Sequence, residues 1–155
     1  MGWSVRPKAI IIDLDGTLCN NEHRRHFVEG EEKDFEKFNA ACVDDKVNQW
    51  CLELIKAMDA AGYRILFISG REYKFREQTW LWIVENAATK IDNNTDIYMR
   101  AIGDYRKDSV VKEEIYRRLI EPHFKVLFCV DDRQQVVDMW RSLGLTCLQC
   151  AKGDF

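Results

Sequence analysis

Proline is scarce, with two residues in 155, and no low-complexity tract or repeat interrupts the chain. No stretch of composition marks a linker, so the sequence reads as one domain over residues 1–155, long enough to bury a proper core. No apolar run approaches the length that crosses a bilayer. The opening Met1-Gly2-Trp3-Ser4-Val5-Arg6 lacks a secretory pattern, and Arg6 stands where a myristoylation motif wants Ser or Thr. A cytoplasmic protein is expected. Excess positive charge is missing too: the formal net charge is −3 and the pI is near 5.7. That excludes a long groove tracking a duplex, which needs a strong basic surplus. A Gly-x-x-x-x-Gly-Lys-Ser/Thr loop occurs nowhere, so kinase activity is not expected.

Cysteine is not scarce, at six residues, but without an export signal free thiols are expected. Cys147-Leu148-Gln149-Cys150 has the spacing of a redox or metal pair. Its segment reads as a strand, where positions three apart face opposite ways, so the two would not share a ligand. Basic residues are local: His23-Arg24-Arg25-His26, Arg71, Arg76, Arg106, Lys107, Lys112 and Arg133. They suit a site that grips one phosphate or a chain end.

What the chain does have is three short apolar runs that each end in chemistry. Ala9-Ile10-Ile11-Ile12 closes on Asp13-Leu14-Asp15-Gly16-Thr17, Ile65-Leu66-Phe67-Ile68 on Ser69-Gly70-Arg71, and Val126-Leu127-Phe128-Cys129-Val130 on Asp131-Asp132-Arg133. Such runs suit strands of a parallel sheet covered on both faces. Ligands of these sheets bind beyond the carboxyl ends of the strands, so the three endings should converge. Residues 19–45 read as an insertion over the site, a loop and then a short helix with Phe35, Phe38 and Ala41-Cys42 at helical spacing. Asp44-Asp45 appears as the start of an amphipathic helix ending at Gly62. A strand over Tyr63–Ser69 follows, then a helix from about Glu72 to Ala88 with Trp80, Ile83, Val84 and Ala87 inward. Trp82 lies off that stripe, half-buried or covering the insertion. Asp96–Ile102, Lys125–Val130 and Leu145–Cys150 are further strands, with helices from Asp108 and over Val136–Leu143 between them. The alternation predicts an α/β, doubly wound (Rossmann-like) parallel sheet of about five strands with a small helical cap insertion after the first.

Asp13 and Asp15, two apart on extended chain, can both approach one phosphorus, and Gly16 lets the backbone turn tightly. The Ser69 hydroxyl, backbone N–H groups and a helix N-terminus make an anion site, to which Arg71 adds a bidentate grip. Ser69 alone is equally well a helix cap. Lys112, one turn into its helix, can hold phosphate, with Lys107 as the competitor. Asp131-Asp132 beside Asp13 would complete an oxygen-rich Mg²⁺ site, because adjacent buried acids repel unless a cation sits between them.

In this order the motifs resemble the haloacid dehalogenase superfamily: Asp13-Leu14-Asp15-Gly16-Thr17, Ser69, Lys112 and Asp131-Asp132. Longer stretches resemble the 3′-phosphatase domain of phage-type polynucleotide kinase/phosphatases. These are Arg106-Lys107-Asp108-Ser109-Val110-Val111-Lys112-Glu113-Glu114-Ile115, Pro122-His123-Phe124, the segment from Asp131 to Arg141, and the ending Gly153-Asp154-Phe155. The resemblance implies Asp13 as nucleophile through an aspartyl-phosphate and Asp15 as general acid, then base. It implies Mg²⁺ held by the Asp13 carboxylate, the Asp15 backbone carbonyl and Asp132, with Asp131 as neighbour. It adds Arg24 (or its neighbour Arg25), Gly70 and Arg71 as phosphate or chain-end contacts, with Thr17 in the first motif. Asp108 would orient Lys112 or a nearby arginine. The expected activity is removal of a 3′-terminal phosphate from DNA or RNA ends, as in phage-like nucleic acid repair. A nucleotidase or small-metabolite phosphatase is the alternative, and a silent end-binding protein a third reading. A separate kinase or ligase partner is left open.

Overall fold

The computed structural model describes residues 5–91 and 95–153; the opening Met1–Ser4 and the Asp154-Phe155 ending fall outside the described residues. In chain order the elements are β1 (Lys8–Asp13), β2 (Cys19–Asn20), α1 (Phe35–Ala40), β3 (Lys46–Val47) and α2 (Gln49–Ala60). They continue with β4 (Arg64–Glu72), α3 (Arg76–Asn86), β5 (Thr95–Arg100), α4 (Asp108–Ile115), β6 (Lys125–Asp131), α5 (Gln134–Ser142) and β7 (Cys147–Gln149). Five strands form a parallel sheet in the order β5-β4-β1-β6-β7. β2 and β3 form a separate antiparallel ribbon that ties the two ends of the insertion together.

β1 is central, and all its residues but Lys8 are buried, which is why it reads as a continuous apolar run. Its side chains alternate between two cores. Ile10 and Ile12 pack with Cys51, Leu52 and Ile55 of α2 and Trp82 and Ile83 of α3. Ala9 and Ile11 pack with Val136, Val137 and Trp140 of α5 and with Tyr116 and Ile120, in the π-helical turn that continues α4. Helices thus cover both faces, as the alternation of elements predicts.

Two boundaries differ from the sequence reading. α2 begins at Gln49, not at Asp44-Asp45. Cys42–Asp44 belong to a 3₁₀ turn, and Lys46-Val47 pair with Asn20 and Cys19, so this backbone is already committed to closing the insertion. β4 runs on through Glu72, with a bulge between Ser69 and Glu72 in its pairing with β5. A 3₁₀ turn over Tyr73–Phe75 leads straight into α3 at Arg76, with Glu72 in its N-cap position, so the helical segment starts close to where it is expected but Ser69 is not its cap. Trp82 is not half-buried but almost fully covered, because its ring lies in the core and its Nε1 donates to the Asp45 carbonyl at 2.8 Å.

Candidate active site

Register brings the three polar endings together. Ile12 lies beside Phe67 of β4 and Val130 of β6, so Asp13, Ser69 and Asp131 share the carboxyl edge of the sheet. Around them the site divides into two clusters of charge.

The first is built on Lys112, 1% exposed. Its Nζ donates to Asp13 Oδ1 at 2.9 Å and Asp131 Oδ2 at 2.8 Å, and lies 3.5 Å from Asp108 Oδ2. Lys112 and Asp108 are four apart on α4, hence on one face. Lys107, the alternative, is exposed. Thr17 Oγ1 donates to Asp13 Oδ2 at 2.9 Å, and the Arg133 amide to Asp131 Oδ1 at 3.1 Å. Asp108 also faces Arg100 at 3.4 Å and Arg133 at 3.6 Å, so it anchors Lys112 and two arginines. Burial pushes the Asp13 carboxyl well up, Asp131 adds to this and Lys112 opposes it. Burial and then Asp131 push Asp132 up to about 6. Carboxylate oxygens of Asp13, Asp131 and Asp132 all lie within 4.8 Å of one another. Three acids share one ammonium, and an oxygen-only donor set of this kind suits a hard divalent cation. Two glycines allow the crowding. A Cβ on Gly16 would stand 2.3 Å from Asp132 Oδ2, and one on Gly70 2.4 Å from Asp108 Oδ1; Gly16 also has φ +80°.

The second cluster is built on Asp15. Arg71 Nη2 donates to Asp15 Oδ1 at 2.6 Å and its Nε reaches both oxygens at 3.1–3.2 Å, while Arg24 Nη2 donates to Oδ1. Arg24 is fully buried. Its Nε and Nη2 bond Asp45 at 2.7 and 2.6 Å, its Nη1 donates to the Phe38 carbonyl, and its guanidinium stacks 4.2 Å from the Phe38 ring. His23 Nε2 lies 2.7 Å from Asp45. Arg71 also donates to Thr79 Oγ1 at 3.0 Å. Burial alone would raise the Asp15 pKa, but Arg71 and then Arg24 outweigh it and hold the carboxyl well below the usual carboxylate range. Two acids two residues apart are thus driven in opposite directions, the arrangement that divides the roles of a carboxylate pair.

Asp13, Asp15, Thr17, Arg24, Ser69, Gly70, Arg71, Asp108, Lys112, Asp131 and Asp132 all fall in or beside this site. Ser69 is buried and its hydroxyl accepts from the Arg71 amide at 3.2 Å, which shapes the bulge. Arg24 rather than Arg25 reaches the acids; Arg25 lines the outer cleft, where it pairs with Glu22 and Glu29. The Asp15 carboxylate is not part of the acid cluster. Sequence reading missed Asp45, taken for a helix start, and Arg100, whose Nε donates to the Gly70 carbonyl at 2.8 Å. A cleft of about 570 Å³ opens over Asp13, Asp15, Arg71, Asp108 and Asp132. No described helix is long and apolar enough to cross a membrane.

Residues 7–155 match the model of the polynucleotide kinase PNKP phosphatase domain. Among solved structures, chains in the Pnkp1/Rnl/Hen1 complex and the Pnkp1/Rnl/Hen1 RNA repair complex are each 36% identical with TM-score 0.82. These matches cover 98% and 97% of this chain but 48% and 44% of those chains. A predicted bifunctional polynucleotide kinase/RNA ligase of Autographa californica nuclear polyhedrosis virus is 27% identical over 140 residues, 90% of this chain and 18% of that protein. The chain therefore spans about half the length, or less, of these relatives. A class C acid phosphatase from Bacillus anthracis, 16% identical with TM-score 0.65 over 98% of this chain and 69% of that one, shares the fold. The chain belongs to the PNKP phosphatase domain family, within the haloacid dehalogenase-fold hydrolases.

Proposed function

We propose that this chain is a Mg²⁺-dependent phosphatase that removes the 3′-terminal phosphate of DNA or RNA ends. Residues 1–155 would form one phosphatase unit with the insertion at about 19–45 as its cap. The observation that carries the reading is the division of the acids. Asp13 is shared between Lys112 and a cluster short of positive charge, and Asp15 is bracketed by Arg24 and Arg71. Asp13, Asp131 and Asp132, with the Asp15 backbone carbonyl, would hold Mg²⁺. The cation would supply charge neutralisation to the phosphoryl group.

Asp13 Oδ attacks phosphorus while the bond to the 3′-oxygen breaks, leaving an aspartyl-phosphate. Lys112 and Thr17 hold the attacking carboxylate in place. Arg71, which lines the cleft, turns part of its hydrogen bonding to the phosphoryl oxygens. That weakens its hold on Asp15, whose pKa rises, so that it can give a proton to the departing 3′-oxygen. Asp15 then takes the proton back from water as the water oxygen attacks phosphorus and the Asp13–phosphorus bond breaks. Asp108 keeps Lys112 aimed at both steps. The relatives' polynucleotide kinase, RNA ligase and RNA repair names support a nucleic-acid end as substrate, and a separate kinase or ligase as partner.

The test is Mg²⁺-dependent phosphate release from a 3′-phosphorylated oligonucleotide, its 5′-phosphorylated twin, and 3′- and 5′-mononucleotides at matched concentrations. Strong preference for the first, lost in Asp13→Asn, is expected. Equal or better use of mononucleotides would keep the chemistry and overturn the substrate.

A further inference from the structure

The cleft over the acids has an outer part that the chemistry does not use, and aromatic residues line it. Tyr105, in the loop between β5 and α4, is 88% exposed, and Phe35, the first residue of α1, is 56% exposed. Both line the cleft that holds Asp13 and Asp15. Neither belongs to either core cluster. Phe38, by contrast, is accounted for by its stack on Arg24. The two rings come from different walls: the insertion carries Phe35, the body of the domain Tyr105. Lys74, just after β4 in the body of the domain, bonds Glu36, the neighbour of Phe35 on α1, and so ties that wall to the body. The ammonium groups of Lys33 and Lys107, whose residues line the same cleft, make no ion pair or hydrogen bond among the described residues.

We infer that Tyr105 and Phe35 form a clamp for the nucleobase of the terminal nucleotide, with Lys33 and Lys107 facing the next backbone phosphate. This rests on the 3′-phosphatase reading and adds how the end is gripped. A reacting phosphate on Asp13 leaves the attached nucleoside in the outer cleft, where an aromatic face is the group that any base can stack on. Two flexible ammonium groups suit a backbone phosphate that needs charge without fixed geometry. The clamp is blind to base identity, because every base presents a π-face.

Three substrates separate the outcomes: a 3′-phosphorylated oligonucleotide, the same oligonucleotide with an abasic 3′-terminal residue, and glycerol phosphate. Wild type should lose about tenfold or more in kcat/KM on the abasic end. Tyr105→Ala and Phe35→Ala should raise KM on the normal end by a similar factor, keep kcat, and leave the abasic end and glycerol phosphate unchanged. Tyr105→Phe should restore the wild-type KM. Lys107→Ala should flatten the salt dependence on the oligonucleotide alone, by roughly one phosphate contact's share. If wild type uses the normal and abasic ends equally well, or the alanine variants slow all three substrates alike, the clamp is overturned while the phosphatase stands. If wild type hydrolyses glycerol phosphate but neither oligonucleotide, the 3′-end reading itself has failed.

Discussion

Replacing Lys112 with Met removes the ammonium around which Asp13, Asp108 and Asp131 gather, and keeps the stem that fills its slot. Contacts of 2.9, 2.8 and 3.5 Å are lost together. Taking one partner out of a buried charge cluster costs about 3–5 kcal/mol. For a chain of this size that is roughly a 10 °C fall in melting temperature. The pH dependence is more telling than the size. Lys112 lowers the already raised Asp13 pKa, so its removal sends that carboxyl higher still. A carboxyl raised on folding binds more protons in the folded state, so its stability contribution is present at low pH and lost as pH rises. The deficit of Lys112→Met against wild type should therefore be small near about pH 4 and reach its full size near about pH 8. Urea unfolding of both proteins in chelator, at the two pH values, measures it. A deficit of equal size at both would refute the view that Lys112 acts by neutralising these acids. If the acids hold Mg²⁺ as proposed, adding it should shrink the deficit at the higher pH.

Other substitutions probe the remaining geometry. Asp13→Asn should cut phosphate release by about a thousandfold or more and leave the urea midpoint unchanged or higher, since it removes one of three repelling acids. Gly16→Ala forces a side chain into left-handed backbone and against Asp132. It should cost about 1–2 kcal/mol from the backbone alone and weaken Mg²⁺ binding measured by calorimetry. Asp45→Asn halves the anchor of a buried arginine and should cost about 2–4 kcal/mol. In a double-mutant cycle with Arg24→Met the losses should fall well short of additive, and additive losses would sink the pairing.

The sheet was legible because β1 and β4 are buried on both faces and β6 is buried over its carboxyl half, which writes each as an apolar run with an abrupt polar end. Register then did the rest, since parallel neighbours ending together must bring Asp13, Ser69 and Asp131 to one edge. The insertion was less legible. Two acids ahead of an apolar helical stripe are the ordinary sign of a helix start, yet Asp45 is spent on Arg24, 21 residues earlier. Nothing local in the sequence distinguishes an acid that caps a helix from one that receives a distant arginine. For Trp82 the half-buried reading failed for a related reason, and the reading that it covers the insertion held. Its face of α3 looks wrong only if the helix packs on the sheet alone, whereas it also packs on the end of the insertion. The resemblance to known 3′-phosphatase domains supplied Arg24, but not the carboxylate that holds it.

That pairing changes what the insertion is for. Asp15 and Asp45 face Arg24 and Arg71, two acids against two bases, all but Asp15 almost completely buried. This half of the site is balanced before any ligand arrives, and the insertion contributes one of its cations and one of its acids. Asp13 and Asp131 share Lys112 with Asp132 beside them, and Asp132 is left with its pKa near 6, so this is the half that the proposed cation would balance. Removing the metal should therefore act on one half alone. In amide exchange followed with and without chelator, the Gly16 amide should lose protection, because the Asp132 carboxylate packed against it is no longer neutralised. The amides of Asp45 and Trp82 should not respond. Loss of protection across both halves would mean that the insertion is held by the metal centre rather than by its own ion pairs.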